Sequence, residues 1–334
     1  MNWNGKKLLE QFLQSVIENS NHPGAEVIVA DNASTDDSVQ FLQKEFPDIK
    51  IIQLEKNYGF AGGYNRALSQ IDSDYYLLLN SDVLPEKNWI HALYSQLNDD
   101  DSLAVLMPKI RSYKNQNMFE YAGAAGGFID KYGYPFCRGR IFDSTEQDFD
   151  QYNQSSEVFW ASGASFLINA KLYKEFGGLD ESFFAHMEEI DLCWRLKNRG
   201  YKIKYIPESI VYHVGGASLN QSHPYKTYLN FRNNLFLLFK NLPSGNFCIT
   251  LFLRLLLDGI AAIKFIFSFE FGFFLAVLKS HFSFYKNLPR LVKQRKELLL
   301  TREVDNHPEM YNKSIVYDYF IKGKKRFSEL DFHS

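Results

Sequence analysis

The chain has 334 residues, enough for one large α/β domain and a smaller appendage. Hydrophobic residues make up 46% of it, which excludes wholesale disorder, and a formal net charge of −2 excludes the global basic field of a nucleic-acid binder. The cysteines, Cys137, Cys193 and Cys248, are scattered without a CxxC pair, which argues against a disulfide framework or zinc knuckle and fits a reducing cytoplasm. The first seven residues lack the apolar stretch of a secretory signal.

In chain order, Leu9, Phe12, Leu13, Val16 and Ile17 recur at helical spacing and predict a helix over 8–19. The apolar run 26–30 reads as a buried parallel strand ending at Asp31. Ser34 followed by Asp37 reads as a cap pair that opens the next helix. A strand over 49–54, a helix over 61–71 and a strand over 75–79 follow. Strands alternating with helices at this spacing imply an α/β protein with a parallel sheet. Residues 112–154, rich in Gly, Tyr and polar side chains, read as a loop-rich insertion. Patterning returns over 158–169, a helix over 188–198 and a short strand over 203–206 that leads to Val211-Tyr212-His213.

Ligands of such sheets collect beyond the carboxyl ends of strands, where Asp31 and Asn80-Ser81-Asp82 both fall. A carboxylate at Asp31 can accept from a base imide or a ribose hydroxyl, or it can simply cap a turn. The stretch from Asn57 through Gly59 and Gly62 to Asn65 is a Gly-rich turn entering a helix, where backbone amides can approach phosphates; a plain tight turn is the alternative. Asn80 and Asp82, two apart in an extended segment, point the same way and can share a hard cation. Glu188-Glu189-Ile190-Asp191 is the densest acidic cluster, and Asp191 can pair with Arg195 four residues on. Carboxylates crowded beside an apolar sheet raise at least one pKa, which suits a general base, although acids in a first helical turn also suit the helix dipole. A lone histidine such as His213 is more often a satisfied core or turn residue than a ligand.

In order and spacing these stretches resemble the inverting family 2 glycosyltransferases, in particular the bacterial rhamnosyltransferase-like branch. The resemblance covers about residues 2 to 220. It rests on Asn2-Trp3-Asn4-Gly5, Val29-Ala30-Asp31-Asn32-Ala33-Ser34-Thr35-Asp36, Asn57 to Asn65, Leu79-Asn80-Ser81-Asp82 and Gly163-Ala164. It continues through Gly177-Gly178-Leu179-Asp180-Glu181-Ser182-Phe183-Phe184, Glu188 to Arg195, and Tyr212-His213-Val214-Gly215-Gly216-Ala217-Ser218. It implies a GT-A type, Rossmann-like α/β fold with a mixed sheet flanked by helices. A nucleotide-binding half would run over about 1–110 and an acceptor half over about 111–220.

The resemblance also implies roles. Asp31 is similar to the family's base-contacting aspartate, with Asn4, Asn57, Gly59, Gly62, Asn65, Asn80 and Ser81 around the nucleotide-sugar donor. Asn80 and Asp82 occupy the ends of the DxD metal motif, and His213 resembles a histidine that completes the site for Mn²⁺ or Mg²⁺. Glu188 and Glu189, with Asp191 near them, resemble the catalytic acidic pair, Glu189 in the place of the base. The chain departs from the pattern at Asn80, where Asp is usual, and at Glu189, one methylene longer than the usual Asp. Met1 also stands where the family's first strand should end, so that strand reads as truncated by a misplaced start or a fragment boundary, with a genuinely shortened, less stable enzyme as the alternative. The implied reaction is metal-assisted transfer of a sugar, hexosyl or rhamnosyl, from a nucleoside diphosphate to a hydroxyl of a cell-surface or lipid-linked glycan. The alternatives are a non-catalytic sugar- or nucleotide-binding relative and a dinucleotide-dependent oxidoreductase, whose glycine fingerprint is absent.

Residues 221–334 read as a helical, basic extension. The Phe-, Leu- and Ile-rich stretch over 247–285 is interrupted by Arg254, Asp258, Lys264 and Glu270, so no apolar run reaches the roughly 18 residues of a spanning helix. Lys279, Lys286, Arg290, Lys293, Arg295 and Lys296 follow. The expectation is an in-plane anchor on the cytoplasmic membrane face, or else a helical appendage packed on the catalytic domain.

Overall fold

The computed structural model describes residues 1–97, 100–215 and 223–332. The buried stripe Leu9, Phe12, Leu13 and Val16 makes α1 of Lys6–Asn19. Next come β1 (Ile28–Asp31), α2 (Ser38–Glu45) and β2 (Lys50–Gln53), the two strands paired in parallel. Then follow α3 (Gly59–Leu68), β3 (Tyr75–Leu79), β4 (Val83–Pro85), α4 (Trp89–Tyr94) and β5 (Leu103–Ser112). The strand over 75–79 falls where its apolar run predicts. The helix expected to open at Ser34 starts instead at Ser38, because the Ser34 hydroxyl is bonded to Asp31.

Residues 112–154 are rich in loops, as the sequence suggests, but also hold four short strands. These are β6 (Gly127–Asp130), β7 (Pro135–Cys137), β8 (Arg140–Ile141) and β9 (Ser144–Thr145), an antiparallel meander. After it come β10 (Ser156–Glu157), β11 (Ser165–Asn169), α5 (Ala170–Glu175), α6 (Glu188–Lys197) and β12 (Lys202–His213). The main sheet runs β10-β12-β5-β11-β3, with β4 on β12. It is mixed rather than parallel: β11 is antiparallel to both β3 and β5, while β12 is parallel to β5. The expected strand over 203–206 and the segment up to His213 are one strand with a break in register between Ile206 and Ile210, at Pro207.

The chain ends in α7 (Pro224–Asn241), α8 (Phe247–Phe267), α9 (Phe271–Leu300), β13 (Met310–Tyr311) and α10 (Ile315–Phe320). These elements share the main core: Leu235, Phe236, Phe284, Leu291 and Tyr311 are buried in one cluster with Trp194 and Ile206. Strand β13 extends the meander beside β6, and Phe327 and Phe332 pack against Phe128 and Phe136. Residues 1–2 lie between β1 and β3. The Asn2 N–H donates to the Ala30 carbonyl at 2.8 Å, Asn32 N–H donates to the Asn2 carbonyl at 2.8 Å, and the Met1 amine reaches the Leu79 carbonyl at 3.1 Å.

Candidate active site

The two-stranded β1–β2 sheet delivers Asp31 from the end of β1, and the main sheet delivers Asn80-Ser81-Asp82 from the end of β3 and His213 from the end of β12. Asp31 is buried, and its carboxylate accepts from the Asn2 side-chain amide at 2.9 Å, the Ser34 N–H at 2.8 Å and the Ser34 hydroxyl at 2.6 Å. The bond to Ser34 N–H is a turn cap. Asn4 holds the same turn from outside, its side-chain Oδ1 accepting from Thr35 N–H at 2.7 Å and its backbone N–H donating to the Ser34 hydroxyl at 2.8 Å. Ser81 lies beside Gly5, where an added Cβ would come within 3.6 Å of its hydroxyl.

Asn32 ties this turn to the start of α3. Its amide donates to Asn57 at 3.1 Å and to the Gly59 carbonyl at 2.9 Å, and its oxygen accepts from Tyr58 N–H at 3.0 Å. Gly59 takes φ +72, and a Cβ there would stand 2.7 Å from the Phe184 ring, so both the backbone and the space demand glycine. The amides expected to face a phosphate are partly committed: Gly59 N–H donates to Asn57 and Phe60 N–H to the Phe184 carbonyl. Gly62 and Asn65 do not join the cluster. A Cβ on Gly62 would meet Arg66 and Glu181, and Asn65 is bonded to Tyr173 and to both the N–H and the carbonyl of Leu179. Their task is to hold α3 against the Gly177–Glu181 turn.

Asp82 and His213 face each other across the β4–β12 pairing, Oδ1 to Nε2 at 3.2 Å, and the other ring nitrogen of His213 lies 3.2 Å from Glu120. All three side chains are buried. Burial opposes a charge on His213, but the two carboxylates outweigh it and push its pKa up to about 10. A carboxylate behind an imidazole whose far nitrogen faces a second oxygen ligand is the usual arrangement of a metal-binding histidine. The 3.2 Å between Asp82 and His213 suits two adjacent ligands of one ion with bonds of about 2.1 Å. The pair therefore fits a divalent cation that would displace the His213 Nε2 proton and take its remaining ligands from a diphosphate. Among the described residues no group of three acidic, His or Cys side chains could hold an ion without that help. Asn80 stands next to the pair, its N–H donating to the Ala164 carbonyl at 3.0 Å.

Glu188 and Glu189 begin α6. Burial drives the Glu188 carboxyl well above the usual range, and the neighbouring Glu189 and Asp191 charges add to it. Burial likewise lifts Glu189 to about 7 against the pull of surrounding N–H groups, among them that of Gly163. One oxygen of each acid is buried without a hydrogen-bond partner. The turn before them is strained, with Phe184, His186 and Met187 at φ +65, +69 and +73, costing about 1–3 kcal/mol each. Strain stored beside desolvated carboxyls that each leave one oxygen unpartnered makes the start of α6 a candidate reacting site.

The model of a family described as glycosyl transferase family 2 matches residues 2–185. The chain belongs to this family. As a family 2 glycosyltransferase it transfers a sugar from a nucleotide-sugar donor. The N-acetylglucosaminyl-diphospho-decaprenol L-rhamnosyltransferase of Mycobacterium tuberculosis (strain CDC 1551 / Oshkosh) is 26% identical over 221 residues, covering 61% of this chain and 71% of that relative. The low-salt glycan biosynthesis hexosyltransferase Agl10 of Haloferax volcanii is 25% identical over 217 residues, 63% of this chain and 66% of its own. The crystal structure of GalNAc-T7 with UDP, GalNAc and Mn²⁺ aligns with a TM-score of 0.54 at 16% identity, over 70% of this chain and 45% of that one, a likeness of fold. The mixed sheets flanked by helices, with helices at the C-terminus, are a GT-A-like fold.

Within this family 2 glycosyltransferase Asp191 stands apart from the two glutamates. Its carboxylate accepts from Arg195 at 2.8 Å, Lys240 at 2.9 Å and Asn241 at 2.8 Å, and it is fully buried. With Asp180, also bonded to Lys240, it forms an ion network that docks α6 on α7 and leaves Asp191 no free oxygen for catalysis. Burial raises the Asp180 carboxyl, but the Lys240 charge and hydrogen bond outweigh it and hold it far below the usual range. Glu120, Asn32 and Asn233, whose side-chain amide donates to the Phe183, Ala185 and His186 carbonyls before the acid pair, are residues of the candidate site that sequence reasoning missed. Asn32 lay in a quoted motif, whereas Glu120 sits in the segment read as a loop and Asn233 in the extension. The Gly216–Ser218 end of the His213 motif lies outside the described residues.

Proposed function

We propose that this glycosyltransferase moves a hexosyl or rhamnosyl unit from a nucleoside-diphosphate sugar to a hydroxyl of a lipid-linked or cell-surface glycan, inverting the anomeric carbon. The observation that carries this reading is the water-stripped Glu188–Glu189 pair, with Glu189 poised near neutrality. Glu189 takes the proton of the acceptor hydroxyl; that oxygen bonds to the anomeric carbon as the bond to the diphosphate breaks and the electron pair leaves with the diphosphate. Asp82 and His213, with Asn80 alongside, would hold Mn²⁺ or Mg²⁺, which when bound neutralises charge on the departing diphosphate. Asn4, Asp31 and Ser81 mark the nucleoside end, and Asn57 and Gly59 mark the passage of the diphosphate. Proton NMR of the product tests the stereochemistry: an α-linked donor should give a β-linked product, and retained configuration would exclude the single displacement.

The C-terminal helices support a cytoplasmic-face membrane site. Among the described residues no helix is long and apolar enough to cross a membrane. Two of the charges that interrupt α8 point inward: Arg254 bonds to Asp258 at 2.8 Å and reaches the Tyr132 carbonyl and Asn234, and His281 of α9 also meets Asp258. The outward face is apolar. Phe252, Ile260 and Phe267 of α8 and Phe282 of α9 are exposed, and Phe269 at the turn between the helices is 81% exposed. Lys264, Lys279 and Lys286 lie along the same helices, so apolar insertion and anionic headgroups are both provided for. A diphospho-decaprenol acceptor, in the name of the mycobacterial relative, is of the kind such a surface would meet. Binding to anionic vesicles should be strong and salt-sensitive, and lost in the double variant Phe267→Asp, Phe269→Asp. Equal partition into neutral and anionic vesicles, or none into either, contradicts the anchor.

A further inference from the structure

The strained turn before the acid pair is held from α7. Asn233 is fully buried, and its side-chain amide donates to the carbonyls of Phe183 at 3.0 Å, Ala185 at 2.8 Å and His186 at 2.8 Å. Two amide hydrogens thus serve three acceptors. Arg232, its neighbour, donates from Nε to the Asn233 oxygen at 2.9 Å, which fixes the amide with its NH₂ toward the turn. The same guanidinium donates from Nη2 to the Phe183 carbonyl at 2.9 Å and the Ser182 carbonyl at 3.2 Å.

The Phe184 carbonyl points elsewhere. It accepts from Phe60 N–H at 2.9 Å, in the first turn of α3, where the Phe184 ring covers Gly59. Positive φ at Phe184 and His186 lets neighbouring carbonyls face different partners, and a relaxed turn would leave one set unbonded. The turn therefore spans from the start of α3 to the start of α6, and Asn233 closes it.

We infer that Asn233, oriented by Arg232, is a positioning residue for the reaction: it holds the Ser182–Met187 turn so that Glu188 and Glu189 stay desolvated and in place at the start of α6. The inference rests on the acid pair's role in the proposed reaction. It makes α7 part of the working site rather than part of an appendage. Without the amide, the Ala185 and His186 carbonyls lose their donor and Phe183 is left to Arg232, so water enters the turn and the carboxyls move.

Asn233→Ala should lower kcat by about 100-fold, the cost of a displacement near 1 Å, with the donor KM little changed. The acidic limb of its pH–rate profile should also fall from near 7 toward the ordinary carboxylate range as Glu189 regains water. A purely structural role would lower Tm but leave that limb in place. Arg232→Lys keeps the charge but loses the fork that orients Asn233, and should show the same two changes more weakly; it carries the test if Asn233→Ala does not fold. Unchanged kcat and pH limb in folded variants, beside an inactive Glu189→Gln, overturn the clamp alone. Wild-type rates in Glu189→Gln as well overturn the acid assignment and the clamp with it.

Discussion

Glu189→Gln is expected to slow transfer by about 10²–10⁴-fold while leaving donor affinity intact. The amide keeps the size of the side chain but cannot take the acceptor's proton. In the wild-type enzyme the rate should rise with pH through about 7, because burial holds the proton on Glu189 to that point and only the ionised form can act as base. The variant should lose this dependence. It should also melt at a higher temperature than wild type above neutral pH. A carboxyl whose folded pKa is raised stabilises least where it must be charged, so its cost grows as pH rises from about 4.5 through 7. Lower activity with higher stability separates a functional acid from a structural one. If Glu188→Gln is the dead variant instead, the base is the other member of the pair.

Asp82→Ala should abolish Mn²⁺-dependent turnover. It removes the one carboxylate that faces His213 across the β4–β12 pairing from the strand-end side. The loss should also lower the His213 pKa from about 10, since Glu120 alone then opposes the burial of the ring. NMR titration of the His213 ring checks that shift without any metal present. His213→Ala should weaken turnover less, because the carboxylate and the donor diphosphate remain as oxygen ligands. Wild-type rates in Asp82→Ala remove Asp82 from the metal site.

The sequence was most informative where a signal is local. The five apolar residues of β3 followed by Asn80-Ser81-Asp82, and the acids opening α6, could be placed from periodicity and order alone. Ser34 misled because its hydroxyl has two possible uses, a helix cap or a partner for Asp31, and the second won. The meander was missed because its strands are two to four residues long, too short for alternation to register, and its first two turns, at Gly133 and Gly139, read as loop. Asp191 looked like a third catalytic acid because Lys240 and Asn241, which neutralise it, lie about fifty residues away. Glu120 is 93 positions from His213 in sequence, and Asn233 reaches a turn 47 to 50 residues earlier, so neither forms a motif with its partner. In α8 the order of charges suggested a broken apolar run, whereas the fold turns Arg254 and Asp258 inward and leaves the apolar side on the surface.

The most direct measurement is nucleoside diphosphate release from a panel of nucleoside-diphosphate sugars. It is run with Mn²⁺ and with chelator, for the wild-type enzyme beside Glu189→Gln and Asp82→Ala. The account predicts release by the wild type from at least one donor, stopped by chelation, and little or none from either variant. Release that survives both chelation and the loss of Glu189, or none from any donor when Mn²⁺ and a glycan acceptor are supplied, would contradict it.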